Sequence, residues 1–210
     1  MSERAKKSIK RENRFDKAIK IFRRNNGLLR TSQAKSKGIH ESTIYELYRR
    51  ERLERISRGL FRLRDQPAVS FSDYVIISKR IPNSIICLIS SLSYFELTNQ
   101  IPHELYIAIK ASTRIPEFEA LPVIPFEYSA NHFEKGVEIH KVGKVPVRIY
   151  CPERTIMDCF KYRNKIGLNI AIEALKLYRK KMPIRMDLLE KYARMNRVFR
   201  IVKPYLEAII

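Results

Sequence analysis

Three glycines divide the first 64 residues into short segments, and their spacing constrains the fold more than any other feature of the sequence. Apolar residues recur at i, i+3, i+4 and i+7 from Phe15, which predicts an amphipathic helix over 15–25 that an Asn-Asn-Gly stretch terminates. Thr31 is positioned to cap a second, short helix. This helix is expected to end at Gly38, because glycine tolerates the left-handed backbone of a tight turn.

A third helix and a hairpin complete the N-terminal pattern. The helix is predicted over 41–52 from its helical apolar spacing. Gly59 then separates two short alternating runs, which predicts a β-hairpin. The residues expected to face the core are Ile44, Leu47 and Tyr48 on the helix and Ile56, Phe61 and Leu63 on the hairpin. Helix, short helix, turn, helix and hairpin is the order of a winged helix-turn-helix.

The rest of the chain predicts a larger mixed domain. Residues 71–80 indicate a helix, Ser90 or Ser91 is positioned to cap another that ends near Leu97, and the pattern after Pro152 is helical to the end. Strands are predicted over 85–89, 105–109, 123–128, 137–141 and 145–149. The fold class is therefore α+β, an N-terminal winged helix-turn-helix followed by a mixed α/β domain with C-terminal helices. The predicted organisation is a flexible basic leader (1–14), the winged helix (15–64), a linker (65–70) and the larger domain (71–210).

The charge of the chain points to a polyanionic partner. It carries 42 basic and 22 acidic residues, a formal net charge of +20. Residues 1–64 hold 20 of the basic and seven of the acidic ones, a net of +13, which favours a dedicated nucleic-acid-binding module over an anionic membrane surface. No apolar run reaches 18 residues, so no membrane span is expected. Three widely spaced cysteines without a CxxC pair indicate free thiols in the cytoplasm.

The residues expected to contact DNA lie on the third helix, the hairpin and the second helix. An α-helix fits the major groove, where polar side chains distinguish the base pairs, and either Arg49 or Arg50 is suited to guanine. Glu46 would accept from cytosine or pair with one of these arginines. Hairpin arginines and second-helix polar residues would contact phosphates. The full predicted set is Thr31, Ser32, Gln33, Lys35, Ser42, Thr43, Tyr45, Arg49, Arg50, Arg55, Arg58 and Arg62. A protein-interaction module with solvated arginines is the alternative.

Nothing in the sequence indicates catalysis or a cofactor. The four histidines are scattered, and His132 and His140 are better explained as loop or surface residues than as metal ligands. The chain lacks a GxSxG elbow, a phosphate-binding glycine loop and a carboxylate pair. We therefore expect neither an enzyme nor a metal or cofactor site.

Three segments resemble the AbiEi-type antitoxin family, and the resemblance extends over residues 15–208. They are Leu28–Leu63, especially its LLRTSQA, GIH and LERISRGLFRL stretches; ICLISSL followed by ELT at 86–98; and CPERTIMDCF at 151–160. The resemblance implies a type IV antitoxin that represses its own promoter, with inverted repeats as the expected operator. The larger domain would oppose a nucleotidyltransferase-like toxin without needing a stable complex.

One predicted helix face is open to two interpretations. Arg154, Asp158 and Lys161 follow i, i+4, i+7 spacing, with Arg163 next to them. They form either a solvated salt-bridge face or, given the resemblance, a surface used in antitoxin action. For the chain as a whole, the alternatives are a plain winged-helix regulator whose larger domain senses a ligand or dimerises, and an RNA-binding or interaction protein. Two monomers on an inverted repeat are as consistent with the sequence as a stable dimer.

Overall fold

The computed structural model describes residues 3–65, 72–116, 118 and 122–210, which divide into two compact units. The head unit contains the described residues up to Ser72, residues 142–145 and the described part of 116–120. The body unit contains the other described residues. Apart from Asp65, the predicted linker lies outside the described residues.

The head unit has the element order of a winged helix. Its elements are α1 (Glu3–Arg24), β1 (Leu28–Arg30), α2 (Thr31–Ser36), α3 (Glu41–Arg49), β2 (Leu53–Ser57) and β3 (Leu60–Leu63). The three strands form an antiparallel sheet in the order β1-β3-β2. Gly38 and Gly59 both have positive φ angles, +82° and +72°, as the predicted turns require.

The first helix is longer than the sequence predicts. It begins at Glu3 and not near Phe15. The stretch 3–14 contains neither proline nor glycine and consists largely of Glu, Ala, Lys and Arg, which are strong helix formers, so the helix extends toward the N-terminus. The sequence also missed β1, because three residues are too few to show an alternating pattern.

The head core follows the predicted apolar pattern with one exception. Ile44, Leu47 and the three hairpin residues expected in the core are buried. Tyr48, however, is 41% exposed and lays its ring edge against Phe61, with centroids 5.9 Å apart. Thr31 is the first residue of α2 and not its cap, which is Arg30. The Thr31 hydroxyl donates instead to the Gly59 carbonyl across 3.4 Å.

The other elements complete an α+β fold, which confirms the predicted class. They are α4 (Ser72–Arg80), β4 (Ile85–Ile86), α5 (Leu88–Tyr94), β5 (Leu105–Lys110), β6 (Val123–Tyr128), α6 (Ala130–Phe133), β7 (Val137–Val142), β8 (Val145–Tyr150), α7 (Pro152–Lys161), α8 (Arg163–Ile166), α9 (Leu168–Lys181), α10 (Met186–Met195) and α11 (Phe199–Ile209). The sheet order is β6-β5-β4-β8-β7. Strand β4 pairs antiparallel with β5 and parallel with β8, and β5 pairs parallel with β6.

The predicted strand over 85–89 is shorter than expected. Strand β4 contains only Ile85 and Ile86, Cys87 follows as an extended N-cap, and α5 begins at Leu88. Ser90 and Ser91 therefore lie inside the helix, where both are buried, and neither caps it. The Ser91 hydroxyl donates to the Tyr150 carbonyl across 2.9 Å, so its polar group is satisfied within the core.

Helix α7 lies at the centre of the body unit. Residues 152–160 are all buried, and α5, α9 and α10 pack around the helix. Cys87, Cys151 and Cys159 are buried free thiols. Within the described residues, no helix combines the length and the apolar character that crossing a membrane requires.

Candidate nucleic-acid interface

Helix α3 presents a polar outer face that includes an exposed arginine. Ser42, Tyr45 and Arg49 point away from the core and are exposed. Thr43 is 4% exposed, which corrects its predicted outward position, because it lies one turn before the buried Leu47 on the inner face. Arg49 has no ion pair or ring contact within the part of the chain that the structure describes.

One flank of α3 is fastened to α1. The Arg14 guanidinium bonds Glu46 with Nη2 and Oε2 2.5 Å apart, so this ion pair joins two helices, whereas the sequence suggested cytosine or an arginine of the same helix as the partner of Glu46. The Arg50 guanidinium lies over the Phe15 ring, 4.5 Å from its centroid. Both arginines predicted to read guanine are exposed, but among the described residues only Arg50 makes a ring contact, so Arg49 is the better candidate for the base contact.

The opposite flank of α3 is fastened to the hairpin, which is the wing. Tyr45 and Tyr48 direct their ring edges at Phe61 of β3, with centroids 5.7 and 5.9 Å apart. Phe61 is itself buried. The helix and the wing are therefore fixed relative to each other, while Tyr45 keeps 40% of its surface exposed.

The wing carries two exposed arginines. Arg55 and Arg58 are exposed and form no ion pair within the described residues. Arg62, also predicted to contact phosphate, pairs instead with Glu54, its cross-strand neighbour. Since that carboxylate already engages the Arg62 charge, Arg55 and Arg58 are the better phosphate ligands.

The predicted contacts on α2 are only partly available. Gln33 accepts a hydrogen bond from the Arg30 backbone amide across 3.3 Å, and Lys35 pairs with Glu41 across 3.5 Å. Thr31 is half-buried against Gly59, whereas Ser32 is exposed. Ser32 is thus the α2 residue most accessible to a phosphate oxygen.

The predicted antitoxin surface on α7 is corrected by burial. Arg154 and Asp158 are both 0% exposed and form an ion pair inside the body unit. The i, i+4, i+7 spacing does place them on one face, but that face points into the core. Lys161 is exposed and Arg163 is half-buried, with its Nη1 donating to the Phe160 carbonyl across 3.0 Å.

The buried pair has a nearly complete set of partners. Asp158 accepts from Arg154 Nε at 2.9 Å, from the Tyr128 hydroxyl at 3.0 Å and from Asn196 Nδ2 at 2.6 Å. The Arg154 guanidinium also lies 5.0 Å from the Tyr150 ring centroid. Burial alone would lower the pKa of Arg154, but the charge and hydrogen bond of Asp158 raise it above its ordinary value, so the guanidinium stays charged.

A second buried carboxylate, which the sequence did not reveal, anchors the loop before α10. Glu153 is 1% exposed and accepts two hydrogen bonds from Arg185, at 2.7 and 2.9 Å. The Tyr178 hydroxyl donates to the same carboxylate across 2.6 Å. These residues lie on three different elements, so no local pattern could have connected them.

The histidines do not assemble a metal site in the described part of the chain, where no group of three or more His, Cys, Asp or Glu side chains converges. His140 pairs with Glu138 at 2.9 Å and contacts the Tyr94 ring edge. Burial, followed by the nearby Lys135 charge, lowers the pKa of His132.

Comparisons with known proteins agree with this architecture. Residues 16–64 match the family model described as a transcriptional regulator, AbiEi antitoxin, which confirms the expected resemblance for the winged helix. The fold resembles the crystal structure of the RV2827C protein from Mycobacterium tuberculosis, with a TM-score of 0.57 and 10% sequence identity over 84% of this chain and 69% of that chain. At that identity the likeness concerns the fold alone. No curated protein matches the chain.

Proposed function

We propose that this protein is an AbiEi-type antitoxin that binds the DNA upstream of its own gene and represses transcription. The observation that carries the DNA-binding step is the exposed outer face of α3, where Arg49 has no partner in the described residues. The match of residues 16–64 to AbiEi antitoxin transcriptional regulators supports a regulatory role.

Base reading is assigned to the outer face of α3. Inserted in the major groove, Arg49 would donate two hydrogen bonds to guanine O6 and N7, and Ser42 and Tyr45 would contact neighbouring bases or phosphates. Arg55 and Arg58 on the wing would neutralise phosphates without regard to sequence. Two molecules on an inverted repeat, or one dimer, would extend this contact to both half-sites.

The antitoxin role is assigned to the body unit. It would oppose a nucleotidyltransferase-like toxin encoded next to it, without requiring a stable complex. Of the four residues predicted for this role, Lys161 is exposed and Arg163 is half-buried, whereas Arg154 and Asp158 are enclosed in the core. Lys161 and Arg163 are therefore the pair to alter when the antitoxin step is tested.

Repression is tested with a reporter driven by the protein's own upstream DNA, combined with binding of the purified full chain to that DNA. Arg49→Ala should relieve repression and weaken binding, while Arg200→Ala, which removes an exposed arginine of α11, should do neither. Equal repression by the native protein and Arg49→Ala would refute the assigned docking face.

Neutralisation of the toxin is tested by growth counts in a host that expresses the neighbouring gene. The full-length Arg49→Ala/Arg58→Ala variant should lose repression yet still rescue growth. Lys161→Glu/Arg163→Glu should still bind DNA and repress transcription, but it should no longer rescue growth. If the neighbouring gene is not toxic, or the native protein does not rescue growth, the protein is a plain winged-helix regulator.

A further inference from the structure

A cavity in the head unit lies beside the proposed recognition helix. It occupies about 240 Å³ between α1 and the turn that leads from α2 into α3. None of the DNA contacts assigned above uses it. Its position and its lining chemistry both point to a function.

The cavity has a basic rim and an apolar floor. Arg14, Lys17 and His40 stand at the rim. Lys17 is exposed and has no ion pair within the described residues, so its charge is available to a ligand. The floor is made by Ala18, Ile21 and Ile39, with the buried Thr43 next to it. Such a lining suits a ligand with an anionic group joined to a compact carbon body.

The mouth of the cavity is open at the turn. Gly38 has a φ of +82°, and a Cβ added there would meet no atom within 4 Å. His40 caps α3, with its Nδ1 accepting from the Ser42 backbone amide across 3.3 Å. The His40 ring therefore joins the rim to the first turn of α3, where the positive end of the helix dipole also favours an anion.

The cavity lies on the flank of α3 opposite the wing. Tyr45 and Tyr48 contact the wing through Phe61, whereas Glu46 and Arg50 contact α1 on the other side. A helix inserted in the major groove has one phosphate backbone on each flank. The wing arginines would contact one of these phosphate backbones. The cavity lies on the opposite flank of α3 and would therefore face the other phosphate backbone.

We propose that this cavity seats one sugar–phosphate unit of the DNA backbone. Lys17 and His40 contact the phosphate oxygens, and the deoxyribose carbons rest on Ala18, Ile21 and Ile39. Arg14 lies next to the phosphate and also forms the ion pair with Glu46 of α3. The bound sugar–phosphate unit therefore helps to position the recognition helix on the DNA backbone. This inference rests on the proposed DNA-binding function, and a free phosphate is the other source of the same chemistry.

The test measures how the affinity of the full chain for its upstream DNA and for unrelated DNA falls with salt. Lys17→Ala should weaken both about fivefold at physiological salt and reduce the slope of log K against log salt by about 0.9, the loss of one phosphate contact. Lys20→Ala, on an exposed part of α1 away from the cavity, is the matched control and should change neither.

A second variant obstructs the seat without removing charge. Gly38→Asn keeps the positive φ angle, because asparagine tolerates it, and places a side chain at the open mouth. It should lower the affinity for both DNAs as Lys17→Ala does, with an unchanged unfolding midpoint. If Lys17→Ala and Gly38→Asn bind both DNAs like Lys20→Ala, the seat is refuted.

A third measurement distinguishes a phosphate of the DNA backbone from free phosphate as the ligand of the cavity. The melting temperature of the native chain is compared in inorganic phosphate and in chloride at equal ionic strength. A rise in phosphate that Lys17→Ala abolishes, combined with unchanged DNA binding by that variant, would assign the cavity to free phosphate and overturn the proposal. If Arg49→Ala weakens DNA binding while the cavity variants do not, the proposed function stands and the seat alone fails.

Discussion

Arg154 donates from Nε to Asp158 Oδ2 across 2.9 Å, one turn apart on α7, and neither side chain is exposed to solvent. Tyr128 of β6 and Asn196, which follows α10, donate to the same carboxylate. The pair therefore joins three elements that are distant in the sequence. Because a buried charge without its partner is costly, each member depends on the other.

Removing one member of this pair should destabilise the body unit. We expect Asp158→Ala to lower the free energy of unfolding by about 3–5 kcal/mol, since it leaves the Arg154 guanidinium enclosed without its counter-charge. Urea unfolding of the full chain measures the loss. The double variant Arg154→Met/Asp158→Leu should recover part of it, and Lys161→Met, on the exposed end of the same helix, should change stability little. A loss below 1 kcal/mol for Asp158→Ala would show that the pair is not structural.

The two neighbouring arginines of α3 should behave differently. We expect Arg49→Ala to weaken binding to the native upstream DNA by about 1–3 kcal/mol and to relax the preference at one base pair. Arg50→Ala should have a smaller effect on binding and cost about 0.5–1 kcal/mol of stability, because its guanidinium lies over Phe15. Fluorescence anisotropy with a set of operator variants, together with a thermal melt, distinguishes the two. The reverse ranking of the binding losses would contradict the orientation of α3.

The wing should contribute affinity without sequence preference. Arg58→Ala is expected to weaken binding to all DNA sequences alike and to reduce the salt slope by about one unit. Arg62→Ala is the comparison within the same hairpin, and its effect should be smaller, because Glu54 already pairs with Arg62. A loss that is confined to the upstream DNA would instead indicate that Arg58 reads bases.

The sequence predicted the head unit better than the body unit for a physical reason. Helix and hairpin signals in the head arise from neighbouring residues, so the positions of α2, α3 and the wing follow from local spacing and two glycines. The spacing of Arg154 and Asp158 predicts only that the two side chains lie on the same face of a helix. Whether that face meets water depends on α10 and β6, which no local pattern connects to α7. The sequence therefore predicted a surface where the structure has a core.

The same limit explains the details missed in the head. The sequence predicts Tyr48 on the inner face of α3 and Thr43 on its outer face. The two exchange roles, because Thr43 is buried on the inner face while Tyr48 lies against Phe61 of the wing. The sequence does not predict the cavity beside Lys17 either, because the residues that line it come from two parts of the chain that β1 and α2 separate.

The body unit should lose stability as the pH rises from about 9 to about 12. Burial raises the pKa of Cys151 from 9.0 to about 11, and burial with the hydrogen bond to Glu153 raises the pKa of Tyr178 from 10.0 to about 12. The folded state keeps these protons where the unfolded state has released them. The stabilisation is therefore complete below the unfolded pKa values and lost as the pH passes through the folded ones.

Urea midpoints of the full chain at pH 8, 10 and 11 measure this dependence, and they should fall steadily across the series. Tyr178→Phe removes one titrating group, so its midpoint should be lower at pH 8, where the hydrogen bond to Glu153 is lost, and should fall less steeply above pH 10. Tyr45→Phe alters an exposed phenol of the head unit and is the matched control. Two outcomes would contradict this prediction: a urea midpoint that is constant up to pH 11, or midpoints of Tyr178→Phe that fall as steeply with pH as those of the native protein. Either would show that ionisation of the Tyr178 phenol does not cause the loss of stability at high pH.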